Sequence, residues 1–160
     1  MTKGKLERMS DPYQPPSSNI QRRGQPALYS LHGIVIATIL GSFAAAVVIL
    51  YLNYRSLNHQ SLATKAAVGG TAAYLVLISI AAFLPESMML GGAFIIIQTS
   101  LAYFAASRLQ GSAIAYHRER GGAMQSNLRA AGVGLLTGLA FIFVFLVLGT
   151  LLAVATTSTG

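Results

Sequence analysis

Charged side chains occur only in residues 1–23 and 55–65, at position 86 and in 108–129, leaving four uncharged stretches at 24–54, 66–85, 87–107 and 130–160. A hydrocarbon core about 30 Å thick needs roughly 20 helical residues at about 1.5 Å each, and every stretch supplies them. Apolar residues cover all faces of these runs. Barrel strands would instead alternate apolar and polar with period two, so the pattern predicts an all-α membrane protein with four hydrophobic helical segments.

The expected segments are 29–52, 66–84, 88–107 and 130–155 within a transmembrane domain at 29–155. Pro85 cannot continue the second helix. The third can extend as a polar helix through Ile114 and Tyr116 to Gly121 and Gly122, a pair suited to a C-terminal stop. Ser126 and Asn127 are good N-cap residues for the fourth. Residues 1–28, with Pro12, Pro15, Pro16 and Pro26 among basic and hydroxyl side chains, read as a disordered basic arm, and residues 156–160 as a frayed tail. Arg22-Arg23 is followed by Gly24-Gln25-Pro26, so a cleaved twin-arginine signal is not expected. Val68-Gly69-Gly70 and Leu90-Gly91-Gly92 hint at a duplication, yet alignment on the glycines brings few further identities.

Composition agrees with this pattern: 54% of residues are hydrophobic and 9% charged, whereas soluble domains carry about 25% charged residues. The net charge of +7 could mark a nucleic-acid surface, but basic residues flanking apolar segments are what membrane insertion requires. The bilayer is therefore the expected partner, with anionic headgroups beside the basic residues, and no nucleic acid. Cysteine is absent, which excludes disulfides and thiolate chemistry.

Charge also assigns sides. If segments two and three both cross, Arg55, Lys65, Arg108, Arg118, Arg120 and Arg129 share one side, while the 85–87 turn and the tail hold no Lys or Arg. The basic side is then cytoplasmic. Segment one complicates the picture. If it crosses, Lys3, Lys5, Arg8, Arg22 and Arg23 lie opposite; if it is re-entrant, turning near Gly41-Ser42-Phe43, all eleven basic residues share a side. A break at membrane depth needs protein or water around it, so crossing is the preferred expectation.

His32, Ser42, Ser79, Gln98, Thr99, Ser100, Thr137 and Thr150 are the polar groups within the apolar runs. No charge sits near a segment's middle, which argues against an ion-coupled pump. Gln98, Thr99 and Ser100 either hydrogen-bond between helices or line a small-solute path. Ala130, Gly134 and Gly138, and likewise Gly69 and Ala73, form small-residue faces suited to close helix packing, within the chain, between copies or with another membrane protein. His117, Arg118 and Arg120 are candidate headgroup contacts, with a solvated charged turn as the alternative. His32, His59 and His117 lack paired-ligand spacing, and on a crossing first segment His32 and His59 would be a bilayer apart. No catalytic serine motif, phosphate loop or metalloprotease motif occurs, so no catalytic residue, metal or cofactor is expected. A lipid-active site built on His117 and Glu119 is a minor alternative.

Ala37-Thr38-Ile39-Leu40-Gly41-Ser42, then Ala45 and Asn53-Tyr54-Arg55-Ser56-Leu57, resembles the opening pattern of a set of small bacterial inner-membrane proteins without an assigned activity: Leu-Gly, a small residue, Pro-Leu-Ala, an apolar run and Asn-x-x-x-Leu-Gly. His117, Gly121-Gly122, Ser126 and Arg129-Ala130 are similar to the set's later signature. Phe43 stands in place of the Pro and Asn58 in place of the final Gly. The resemblance implies a bacterial inner-membrane location and transfers no function. The functional expectation is a non-enzymatic structural or interaction protein, with a small channel or transporter as the alternative.

Overall fold

The computed structural model describes residues 26–83 and 92–158. Four helices carry nearly all of them: α1 (Leu31–Ser56), α2 (Gln60–Ala82), α3 (Ala93–Glu119) and α4 (Asn127–Thr157). Among the described residues there is no strand, and Leu28 forms an isolated bridge with Met124.

Local sequence sets the helix ends. Ser30 Oγ accepts the Gly33 N–H at 3.0 Å, which caps α1, and Ser126 Oγ accepts the Arg129 N–H at 3.3 Å, which caps α4. Two helices close with paired backbone bonds around a left-handed residue. At the end of α1 that residue is Asn58 (φ 60), with Asn58 N–H to Arg55 O at 2.9 Å and His59 N–H to Tyr54 O at 2.9 Å. At the end of α3 it is Gly121 (φ 72), with Gly121 N–H to Arg118 O at 2.9 Å and Gly122 N–H to His117 O at 2.8 Å.

By length and composition, Leu31–Ser56, Gln60–Ala82 and Asn127–Thr157 could each cross a membrane, so the chain is built as a membrane protein. Yet α1 is not one rod. Gly41 (φ −131, ψ 17) and Ser42 (φ 66, ψ −178) leave helical geometry, and beyond them the chain returns. Asn53 Oδ1 accepts the Tyr29 N–H at 2.8 Å although the two residues are 24 positions apart. A continuous helix would separate them by roughly 36 Å. The expectation of an unbroken first helix is thus corrected: residues 31–40 run one way for about 15 Å, the chain turns, and residues 43–56 run back.

The hairpin is the centre of the molecule, and α2, α3 and α4 each pack principally on it. In its most apolar window 67% of α1 is buried, against none of α4's. Paired positions give directions. Gly33 meets Ala130 and Ala37 meets Gly134, so α4 starts beside the hairpin's base. Gly70 meets Val47, and Phe43 and Asn53 bond to Gln98 and Gln110, so α2 starts and α3 ends at that base.

Several expected boundaries shift. Helix α2 begins at Gln60 instead of 66 because the polar residues 60–65 continue its first turns. Residues 84–91, which include the expected start of the third segment, lie outside the described residues, and α3 runs on to Glu119. Helix α4 begins at Asn127 and continues to Thr157, into the expected frayed tail. Of the expected arm, residues 1–25 lie outside the described residues. Its end is tied down: Leu28 is fully buried, donates to Ala123 O at 3.1 Å and accepts from Gln125 N–H at 2.8 Å.

Candidate functional site

The hairpin opens orphan backbone groups in an apolar setting, where each unsatisfied one is costly. At the tip, the Phe43 N–H opens the returning half-helix and donates to Gln98 Oε1 at 2.8 Å. Ser42 Oγ donates to Tyr74 Oη at 3.0 Å. The Tyr74 ring meets Phe141 edge-on, with centroids 5.1 Å apart at 83°, and so roofs the tip from α2 and α4.

The base carries a second clamp. Asn53 Nδ2 donates to Tyr29 O at 3.1 Å and to Gln110 Oε1 at 3.0 Å, and Gln110 Nε2 donates to Leu50 O at 2.9 Å. Both amide side chains are 1% exposed, deep enough that losing one partner would strand the others. Tyr54 Oη adds a bond to Leu109 O at 3.1 Å. The buried face of α3 is Gln98, Ala102, Ala106, Gln110 and Ile114 at four-residue spacing. Its two glutamines reach tip and base while its alanines let the helix close on the returning half.

The stripe on α4 meets the hairpin's inward half. A Cβ on Gly134 would stand 2.7 Å from Ala37 O, one on Gly138 3.0 Å from Leu40 O, and one on Gly33 3.2 Å from Ala130 Cβ. A side chain at Gly41 would overlap the Gly134 carbonyl. On α2, close contact falls at Gly70, where a Cβ would lie 2.6 Å from Val47 Cγ2. Gly69 and Ala73 line a crevice instead, together with Phe43, Val47, Leu50 and Ala105.

Gln98, Thr99 and Ser100 fan out around α3, as consecutive helical residues must: Gln98 is buried and bonded, and Ser100 is exposed. Thr99 Oγ1 is, among the described residues, the one buried side-chain polar atom lacking a hydrogen-bond partner. His117 is half-buried with Nε2 3.1 Å from Ala123 O, and any side chain at Gly122 would run into its ring. Arg118 and Arg120 are exposed, the latter stacked 4.3 Å over Tyr116. Because the hairpin returns, His32, His59 and His117 all lie at its basal end, so the bilayer-wide separation expected of a crossing segment does not hold. The described residues still contain no group of three candidate metal ligands.

Asn53, Gln110 and Tyr74 were not among the sequence candidates. Asn53 stands in the motif that carries the family resemblance, and Gln110 lies twelve residues after Gln98 in the same helix. No protein-family model, curated protein or solved structure matches the chain.

Proposed function

We propose that this is an integral membrane protein that works without catalysis, by packing against other membrane segments around a re-entrant hairpin. In this reading α2, α3 and α4 cross the bilayer, and α1 enters to about half its depth from the basic side. The arm, the turn after α1 and the α3–α4 connection then share that side, and the positive-inside rule makes it cytoplasmic. The bacterial inner membrane suits this arrangement, as the resemblance implies.

One observation carries the interaction reading. Among the described residues, nothing comparable to the α1 contacts joins α2, α3 and α4 beyond the hairpin's tip, and residues 142–158 are all exposed. Membrane helices gain from close packing with one another, so a half-filled bundle is suited to completion by further helices. A single cysteine at Leu148 in this cysteine-free chain tests it by cross-linking in native membranes. A species heavier than the monomer is expected, and a lone monomer at all cross-linker lengths contradicts the reading.

The break at half depth favours a second reading, a small-solute path, because irregular backbone inside a membrane often lines a cavity. Against it, Gln98 is already engaged with Phe43. Solute leakage from proteoliposomes no faster than from empty vesicles ends this alternative.

A further inference from the structure

Two cavities follow one another along the same side of α3. The inner one, about 410 Å³, lies between the returning half of α1, α2 and α3, and its apolar walls run from Lys65 and Tyr54 at the basal end to Ala73 and Phe43 near the tip. It exists because that wall of α2 is nearly bare: a Cβ built on Gly69 would meet no atom within 4 Å. The outer cavity, about 320 Å³, is lined by Leu57, His59, Ala113, Tyr116, His117 and Arg120. Leu109 closes the inner cavity and Ala113 opens the outer one, which places the second about one helical turn nearer the basic surface.

Shape and charge together select the occupant. From Lys65 to Ala73 the wall of α2 is about 12 Å long, close to the depth of one leaflet's hydrocarbon. Three helices wall the crevice and its lining is almost wholly apolar, which suits a hydrocarbon chain lying along it. At its polar end Lys65, Arg120 and two histidines stand with no ion pair among the described residues. Glu119, the one acidic side chain there, lines neither cavity. Lysine can keep its stem along the apolar wall while its ammonium reaches the interface. We propose that the crevice seats one anionic phospholipid of the basic-side leaflet, an acyl chain lying along Gly69 and Ala73 and the phosphate held between Lys65, His117 and Arg120.

The full-length chain in nanodiscs of equal phosphatidylglycerol and phosphatidylcholine, transferred to mild detergent and weighed by native mass spectrometry, tests this. Wild type should retain one lipid, predominantly phosphatidylglycerol. Gly69→Leu and, separately, Ala73→Leu fill the crevice and should each lower retention of either lipid at least about tenfold, because the chain then has no room. Lys65→Gln with Arg120→Gln should leave a lipid bound but lower the preference for phosphatidylglycerol about fivefold per charge removed, the effect of about 1 kcal/mol for each basic residue near a membrane surface. Inorganic phosphate should not displace the lipid. Equal retention of the two lipids by wild type, undiminished retention in both filled variants, a second polypeptide copy in place of lipid, or displacement by phosphate would each overturn the proposal.

Discussion

Gln98 and Phe43 depend on each other. The Phe43 N–H begins the returning half-helix in a buried, apolar setting, and Gln98 Oε1, 2.8 Å away, is the acceptor it has. Gln98→Leu should cost about 1–3 kcal/mol, the penalty of a stranded buried donor. Proline has no N–H and suits the first position of a helix. In a Phe43→Pro background, which loses ring packing of its own, Gln98→Leu should therefore cost much less. Reversible unfolding in mixed micelles measures the cycle, and equal costs in the two backgrounds would separate the residues. Ser42 has a different balance. Its φ of 66 with ψ of −178 is a region essentially reserved for glycine, costing about 1–3 kcal/mol. Ser42→Ala should destabilise by about 1 kcal/mol because the bond to Tyr74 goes and the strain stays. Ser42→Gly should be neutral or stabilising in the same assay. Little of this was legible beforehand: Gln98 stood out as polar in an apolar run, but its acceptor role depends on a backbone break 55 positions away.

Helix existence, caps and stops follow from local chemistry. Ser126 and the Gly121-Gly122 pair act where the sequence placed them. Asn58 closes α1 at φ 60, a left-handed conformation that Asn tolerates better than most residues other than Gly. The path of α1 was less legible, because the same apolar run satisfies a crossing helix and a pair of half-helices, and only long-range bonds choose between them. The α4 stripe makes that choice testable. Gly134→Val would drive methyls into the Ala37 backbone, where even a Cβ is at 2.7 Å, and should destabilise by about 3 kcal/mol. The same change at Gly69, which has open space around it, should cost about 1 kcal/mol or less. At the base, Asn53→Leu strands the Tyr29 backbone and the Gln110 amide and should cost about 3 kcal/mol. Faster hydrogen exchange at the Tyr29 amide would report it directly; unchanged protection there would remove Asn53 from the clamp.

Across the whole molecule, the hairpin reconciles the charge distribution. With a crossing first segment, basic residues would divide six against five between the two sides. With a returning one, the arm joins Arg55, Lys65, Arg108, Arg118, Arg120 and Arg129, and the far side carries no basic residue among those described. The charge count favours the returning path, whereas the need to satisfy a broken backbone at membrane depth favoured a crossing one. The chain lacks cysteine, so single cysteines at Ala27, Gln60 and Ser158 can be labelled cleanly with a membrane-impermeant maleimide in inverted and right-side-out vesicles. A first segment that returns requires Ala27→Cys and Gln60→Cys to react from one side and Ser158→Cys from the other. If positions 27 and 60 instead react from opposite sides, α1 crosses the bilayer and the hairpin at the centre of this account is wrong.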